Sequence, residues 1–279
     1  MLCGPPRRTS KVMNPDISPH EQWFAAYAAR ERAKEQGDPA PMDLKLRHTM
    51  AVLDNARRVT ASEGFDAALT RACLLAALYH DVARFEQYLL YHTFRDRESC
   101  NHGLLGVKIL RREARLAGEA NATRKIVLAA VGLHNRFSLP AHLPRETELA
   151  AHVVRDADKL DILRVNLETP LEDIYNVTTK ELRTSEVTPE VMEAVKGHHT
   201  VLRSKKKSSV DHVAGHICLT FELAYPESRK ILKEQGYLDR MLHFESENPV
   251  TRQQFETIRE EMQRYLETGD ERRKGTDGN

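Results

Sequence analysis

Residues 67–81, AALTRACLLAALYHD, are the most apolar segment of the chain and end on an adjacent His and Asp. Leu and Ala dominate the segment and β-branched residues are scarce, a composition that favours a buried helix over a strand. A helix with so little polar surface belongs at the centre of a fold, and the remaining elements have to arrange themselves around it. They read as helices too. Residues 21–36 form an apolar stripe at helical spacing ended by Gly37-Asp38-Pro39, and 44–62 form another closed by Gly64. Similar stripes lie near 101–117, 122–135, 146–165, 188–199, 210–224, 227–243 and 251–267. No segment alternates at period two, and 12 Pro and 13 Gly in 279 residues are too few for a sandwich or barrel with many tight turns. The expected fold is all-α: a compact multi-helix bundle with additional C-terminal helices packed on it.

Composition narrows the partners. With 42 Lys+Arg against 41 Asp+Glu the formal charge is +1, so no global field recruits a nucleic-acid polymer or an anionic membrane. No window reaches the roughly 18 consecutive apolar residues of a membrane span. The start MLCGPPRRTSKV lacks the apolar run of a secretory signal, and a cytoplasmic location is expected. Residues 1–20 read as a flexible start, 21–267 as one helical domain without a Gly/Ser/Pro-rich linker, and 268–279 as a solvated tail. Cys3, Cys73, Cys100 and Cys218 form no CxxC pair, which argues against a disulfide framework or a zinc ribbon. There is no GxxxxGK[ST], HExxH, GxSxG or GxGxxG string, so neither covalent catalysis nor ATP-driven chemistry has support.

The thirteen histidines are more informative. Helical residues share a face with their i±3, i±4 and i±7 neighbours. His48 then lines up with Leu44, Val52 and Ala56, and His80 with Cys73, Ala76 and Ala77. Asp81 lines up with Leu74, Ala77 and Leu78, His102 with Leu105, Gly106 and Ile109, and His134 with Val127, Ala130 and Val131. Asp158 stacks on Ala151 and Val154. Any one of these histidines alone reads as a satisfied core residue. Six ligand-capable groups pointing inward are another matter, because an unpaired carboxylate is too costly in a core. Four imidazoles and two carboxylates suit one or two divalent cations of borderline softness, Mn, Fe, Co, Zn or Ni; Mg is possible but prefers more oxygen.

In order and type these residues resemble the HD-domain superfamily of metal-dependent phosphohydrolases, whose pattern is a His, an adjacent His-Asp pair and a later Asp on a helical scaffold. The strings YHDVARFEQY (79–88) and RDADKLDIL (155–163) carry the resemblance, which covers about 44–165 and leaves 166–267 as a helical extension. It implies a metal held by His48, His80, Asp81 and Asp158, with Asp81 bridging to a second metal held by His102 (in NHGLLG) and His134 (in GLHNRF). Of Asp156, Asp158 and Asp161, the family pattern selects the Asp followed by Lys, which is Asp158, and leaves Lys159 as a phosphate contact. Asp161 either orients a ligand or pairs with Arg164 on the helix surface.

The implied activity is hydrolysis of a phosphate ester of a nucleotide or small phosphorylated metabolite by a metal-bound hydroxide. Arg84 and Lys159 are expected to neutralise phosphoryl charge, with a structural ion pair as the alternative for Arg84, while Gln87 and Asn101 face substrate or water. Two other readings stay open: a di-iron oxygenase on the same ligands, and a non-catalytic signalling module. His212 and His216, at i,i+4, are expected to pack beside the site or in the C-terminal core. The basic run 203–209 reads as an exposed loop or as a flexible cover that attracts an anionic substrate. Oligomeric state is left open.

Overall fold

A computed structural model describes residues 15–170 and 177–274. Among them the chain forms α-helices and short 3-10 turns and no strand, so the fold is all-α as expected. The helices are α1 (Ser18–Arg32), α2 (Ala40–Glu63), α3 (Ala67–Tyr79), α4 (Arg84–Tyr91), α5 (His102–Arg112), α6 (Asn121–Leu133) and α7 (Arg145–Glu168). Then come α8 (Thr179–Thr184), α9 (Pro189–Lys196), α10 (Val210–Ile217), α11 (Pro226–Gln235), α12 (Tyr237–Leu242) and α13 (Pro249–Lys274). None of the described helices is long and apolar enough to cross a membrane. α1 opens three residues before the expected start, inside the stretch read as a flexible N-terminus; of that stretch, 1–14 lie outside the described residues. α13 runs past 267 into the stretch read as a solvated tail.

The described residues form two compact units. The first comprises the chain up to 49 with 56–135 and 140–154, and the second 50–55, 136–139 and the chain from 155 onward. In the first unit α3 is the core helix. Asp66 starts it, its carboxylate accepting the Leu69 N–H at 2.8 Å, and Cys73, Leu74, Leu75 and Leu78 are wholly buried. α6 packs on α3, α5 packs on α6, and α1 lies on α3 and α4. α4 is an element that periodicity did not pick out. Only eight residues long, it starts three residues after the His-Asp pair and buries just Phe85 and Gln87.

Close approach of α5 to α6 depends on the spacing of the glycines in NHGLLG. A Cβ on Gly103 would stand 2.9 Å from Asn135 Oδ1 and 3.0 Å from the Val131 carbonyl, and one on Gly106 would stand 3.2 Å from Val131 Cγ1. These two helices carry His102 and lead into His134, so their spacing sets how near the two imidazoles come.

In the second unit α9 packs on α13, α10 on α12 and on the 3-10 turn Cys218–Glu222, and α11 on α12. The stripe at 227–243 is two helices because Gly236 takes φ +67 and ends α11. Asp156, fully buried on α7, accepts the N–H groups of Ala224 and Tyr225, each at 2.9 Å. Its carboxylate fastens the approach to α11, a structural reason for a buried aspartate at this position.

Gly103→Ala is expected to force α5 away from the Val131 backbone at a cost of about 1–3 kcal/mol. Urea denaturation of the variant checks the cost, and an unchanged midpoint would show that the helices tolerate the extra carbon.

Candidate metal centre

Five of the six residues expected to face inward belong to the first unit, and all five are buried. They arrive there by local construction. His80 and His134 stand one residue past the ends of α3 and α6, where the last carbonyls of a helix lack intrahelical partners. Each ring turns back on such a carbonyl: His80 Nδ1 donates to Ala77 O at 2.8 Å, and His134 Nδ1 donates to Val131 O at 2.7 Å. A carbonyl only accepts, so Nδ1 carries the hydrogen in both rings and Nε2 presents a lone pair. His102, the first residue of α5, gives its Nδ1 hydrogen to Asp96, whose two oxygens are both 2.7 Å away. Its Nε2 is therefore a lone pair as well.

These lone pairs converge. His102 Nε2 lies 2.9 Å from His134 Nε2, and His80 Nε2 lies 3.3 Å from His48 Nε2. The Asp81 carboxylate stands between the two pairs. Its Oδ1 is 3.4 Å from His102 Nε2 and 3.7 Å from His134 Nε2, while Oδ2 is 3.7 Å from both His48 Nε2 and His80 Nε2. Asp81, His102 and His134 each offer a ligand atom within 4.8 Å of the others.

This donor set fits a divalent cation. Around Asp81 Oδ1 two imidazole lone pairs and a carboxylate oxygen face one another with no proton to share, an arrangement that repels itself until a positive centre joins it. Protonation of His102 would relieve it, but burial, the largest influence, together with the Arg84 charge pushes that imidazole down to about 4. Burial acts upward on Asp81, yet other influences, led by the Lys45 and Arg84 charges, outweigh it and hold the carboxyl well below the usual range. Nitrogen ligands with one shared carboxylate match the borderline-soft metals better than Mg.

Asp96 is the residue that the sequence reading missed. Besides His102 it accepts from Asn135 Nδ2 at 3.0 Å, Gln87 Nε2 at 3.1 Å and Arg84 at 3.3 Å. Burial works against its charge, but the His102 hydrogen bond and the neighbouring charges prevail and lower it to about 2. A carboxylate fixing the second nitrogen of a metal-binding imidazole both orients the ring and raises its basicity. The signal was the ring's own requirement: a buried His102 needs an acceptor for Nδ1, and the acidic turn Asp96–Glu98 lies just upstream.

Lys45 was missed as well. Its Nζ is 2.8 Å from Asp81 Oδ2, and Arg84 Nε is 3.1 Å from Oδ1, so each carboxylate oxygen also meets a cationic side chain. Both cations lie over the Phe94 ring, at 5.4 Å for Lys45 and 5.7 Å for Arg84. Gln87 and Asn101, expected to face substrate or water, are engaged in the scaffold. Gln87 donates to Ser99 Oγ at 2.8 Å and accepts from Arg84, and Asn101 caps α5 through the Leu104 N–H at 2.9 Å.

Three residues from the later motif lie on α7 in the second unit. Asp158 is partly buried there. Lys159 Nζ meets Glu222 at 2.7 Å, beside Arg155 at 2.9 Å from the same carboxylate. Burial first, and then the Arg155 charge, lower the Lys159 ammonium, while Lys159 draws Glu222 down against the upward pull of burial. Asp161 forms a two-pronged pair with Arg164, at 2.7 and 2.9 Å, the second of its two expected roles. His216 Nδ1 donates to Asn166 Oδ1 at 2.9 Å, which places it in the second unit's packing.

Asp96→Asn should weaken metal binding at the His102–His134 pair about 10–100-fold while leaving the helices intact; metal content after dialysis, read beside circular dichroism, checks both halves. In EDTA the stability should also depend on pH. His102 is neutral in the fold and protonates near 6.5 once unfolded, so its contribution is complete above 6.5 and disappears as pH falls through about 4. Unfolding midpoints across that window should rise with pH, less steeply in His102→Gln.

Residues 46–163 match a family model described as the HD domain. No curated protein and no solved structure matches the chain. The matched stretch runs from just before His48 to just past Asp161 and takes in every residue of the imidazole cluster, and over these residues the chain is similar to the HD domain.

Proposed function

We propose that this chain is a metal-dependent phosphohydrolase acting on a nucleotide or another small phosphorylated metabolite. The observation that carries the reading is the Asp81 carboxylate, one oxygen turned to His102 and His134 and the other to His48 and His80. Metal held by these residues would share that carboxylate. Asp158 is assigned as a further metal ligand on the family's order of motifs alone, which the matched stretch includes in full. Divalent cations bound by these residues would polarise a phosphoryl oxygen and acidify water.

What the chain supplies is position and charge. Nδ1 contacts to Ala77, Val131 and Asp96 lock three imidazoles in the tautomer that presents Nε2, so no ring has to reorient when a ligand arrives. Arg84 is held by Gln87, the Phe94 carbonyl at 2.7 Å and Asp96, which aims its guanidinium at the edge of the cluster. There it neutralises charge that develops on the phosphoryl oxygens, with Lys45 facing the same carboxylate from the other side. Lys159, the phosphate contact the sequence suggested, shares the Glu222 carboxylate with Arg155, and Arg84 and Lys45 are proposed as further phosphate contacts.

The test is phosphate release from a panel of nucleotides and simple esters with added Mn²⁺. Wild type should release phosphate, Asp81→Ala should lose metal and activity together, and Arg84→Ala should keep the metal while kcat/KM falls about 10–100-fold. Full activity in Asp81→Ala would sink the assignment. A wild type that releases nothing, yet retains iron and consumes oxygen, would transfer the cluster to oxygenase chemistry.

A further inference from the structure

The basic run 203–209 is not simply a solvated loop. A 3-10 turn, Arg203–Lys205, opens it, and the buried carboxylate of Asp211 pins its C-terminal half. Asp211 Oδ2 accepts the N–H groups of Lys207 at 2.7 Å and Ser208 at 2.9 Å, and Asp211 also accepts from the backbone N–H and hydroxyl of Thr188. With the backbone fixed on that side, Lys206 folds inward while Lys205 and Lys207 stay exposed.

The path of Lys206 crosses α10 at Gly215. A Cβ on that glycine would lie 2.3 Å from Lys206 Cε and 2.6 Å from Nζ, and the three atoms nearest to it all belong to Lys206. Lys206 Nζ has no hydrogen-bond or ion-pair partner among the described residues, and the side chain is only partly exposed. Burial, the largest influence, brings its ammonium down to about 8. Asp211 exerts a distant pull, but its oxygens are occupied by the loop and Thr188. Cys218 stays a neutral thiol, pushed up to about 12 by burial. Arg203, exposed at the head of the loop, and His212 and His216 on α10 complete the surroundings, and the Lys206, His212 and Arg203 charges all bear on His216.

We propose that Lys206, with Arg203, His212 and His216, forms a binding site for a phosphate-like oxyanion. A desolvated ammonium without an acceptor is costly to keep, and an anion supplies what the protein omits. The loop anchoring at Asp211 fixes the charge in place, as a site requires and a surface lysine does not. This site lies wholly in the second unit and its residues differ from those of the metal cluster, so it stands or falls separately from the hydrolase reading.

Calorimetric titration of manganese-loaded protein with inorganic phosphate, and in parallel with AMP, tests it. Lys206→Met should weaken phosphate binding about tenfold or more, the loss of one charge-assisted contact. Gly215→Ala should do the same by displacing the lysine tip, with a helix at least as stable as before. Asp81→Asn, stripped of metal, should retain the Lys206-dependent binding. AMP that binds with the same dependence marks an ester-borne phosphate as the ligand, whereas phosphate alone marks the free ion. Unchanged binding in both Lys206→Met and Gly215→Ala overturns the proposal. So does binding lost in a folded Asp81→Asn, which would seat the anion at the metals. Lys206-dependent binding in a protein that hydrolyses no ester would retire the proposed activity and leave the site standing.

Discussion

The carboxylate of Asp81 is buried, ionised and shared. Two imidazole pairs and two cationic side chains converge on its two oxygens, and each depends on the others being where they are. A lone carboxylate at that depth would take up a proton. Lys45 and Arg84 prevent this, and in doing so keep Asp81 ionised among the imidazoles. The surrounding construction serves the same end: an apolar α3 that carries the His-Asp pair rigidly to its C-terminal end, and glycines that let α5 come close to α6.

Much of this is legible in the order of residues alone. Helical periodicity placed His48, His80, Asp81, His102 and His134 on inward faces, and they are buried together. It succeeded because each sits on or at the end of a long helix whose apolar stripe leaves little freedom in which way a side chain points. Breaks set by glycine were harder. Gly64 ended α2 as expected, but Gly236 split a continuous stripe in two, since periodicity carries across a left-handed turn when both halves face one core.

What the pattern hid were the groups whose roles come from other side chains. Asp96 lies in a turn with no periodicity, and only the hydrogen-bond demand of His102 points to it. Lys45 shares a helix with His48, yet nothing in its spacing foretells an ion pair with a residue thirty-six positions on. Lys159 shows the converse: its place beside the ligand motif marked it as a phosphate contact, and the structure gives it Glu222, distant in sequence, as a counter-ion. Long-range pairing of charges is the part of a site that local pattern does not encode.

The same contrast separates the two basic features of the chain. Arg84 and Lys45 are cations answered by protein anions, and their charge preserves the ionised state of Asp81. Lys206 meets no hydrogen-bonding or ion-pair partner among the described residues, and the Asp211 oxygens are taken by the loop and Thr188. Evenly balanced net charge conceals this difference, because it counts charges without regard to whether they are paired. Burial and partner together decide which cation is structural and which awaits an anion: a lysine held by a pinned loop over a helix glycine, with the Asp211 oxygens engaged by that loop, has the attributes of a receptor for negative charge.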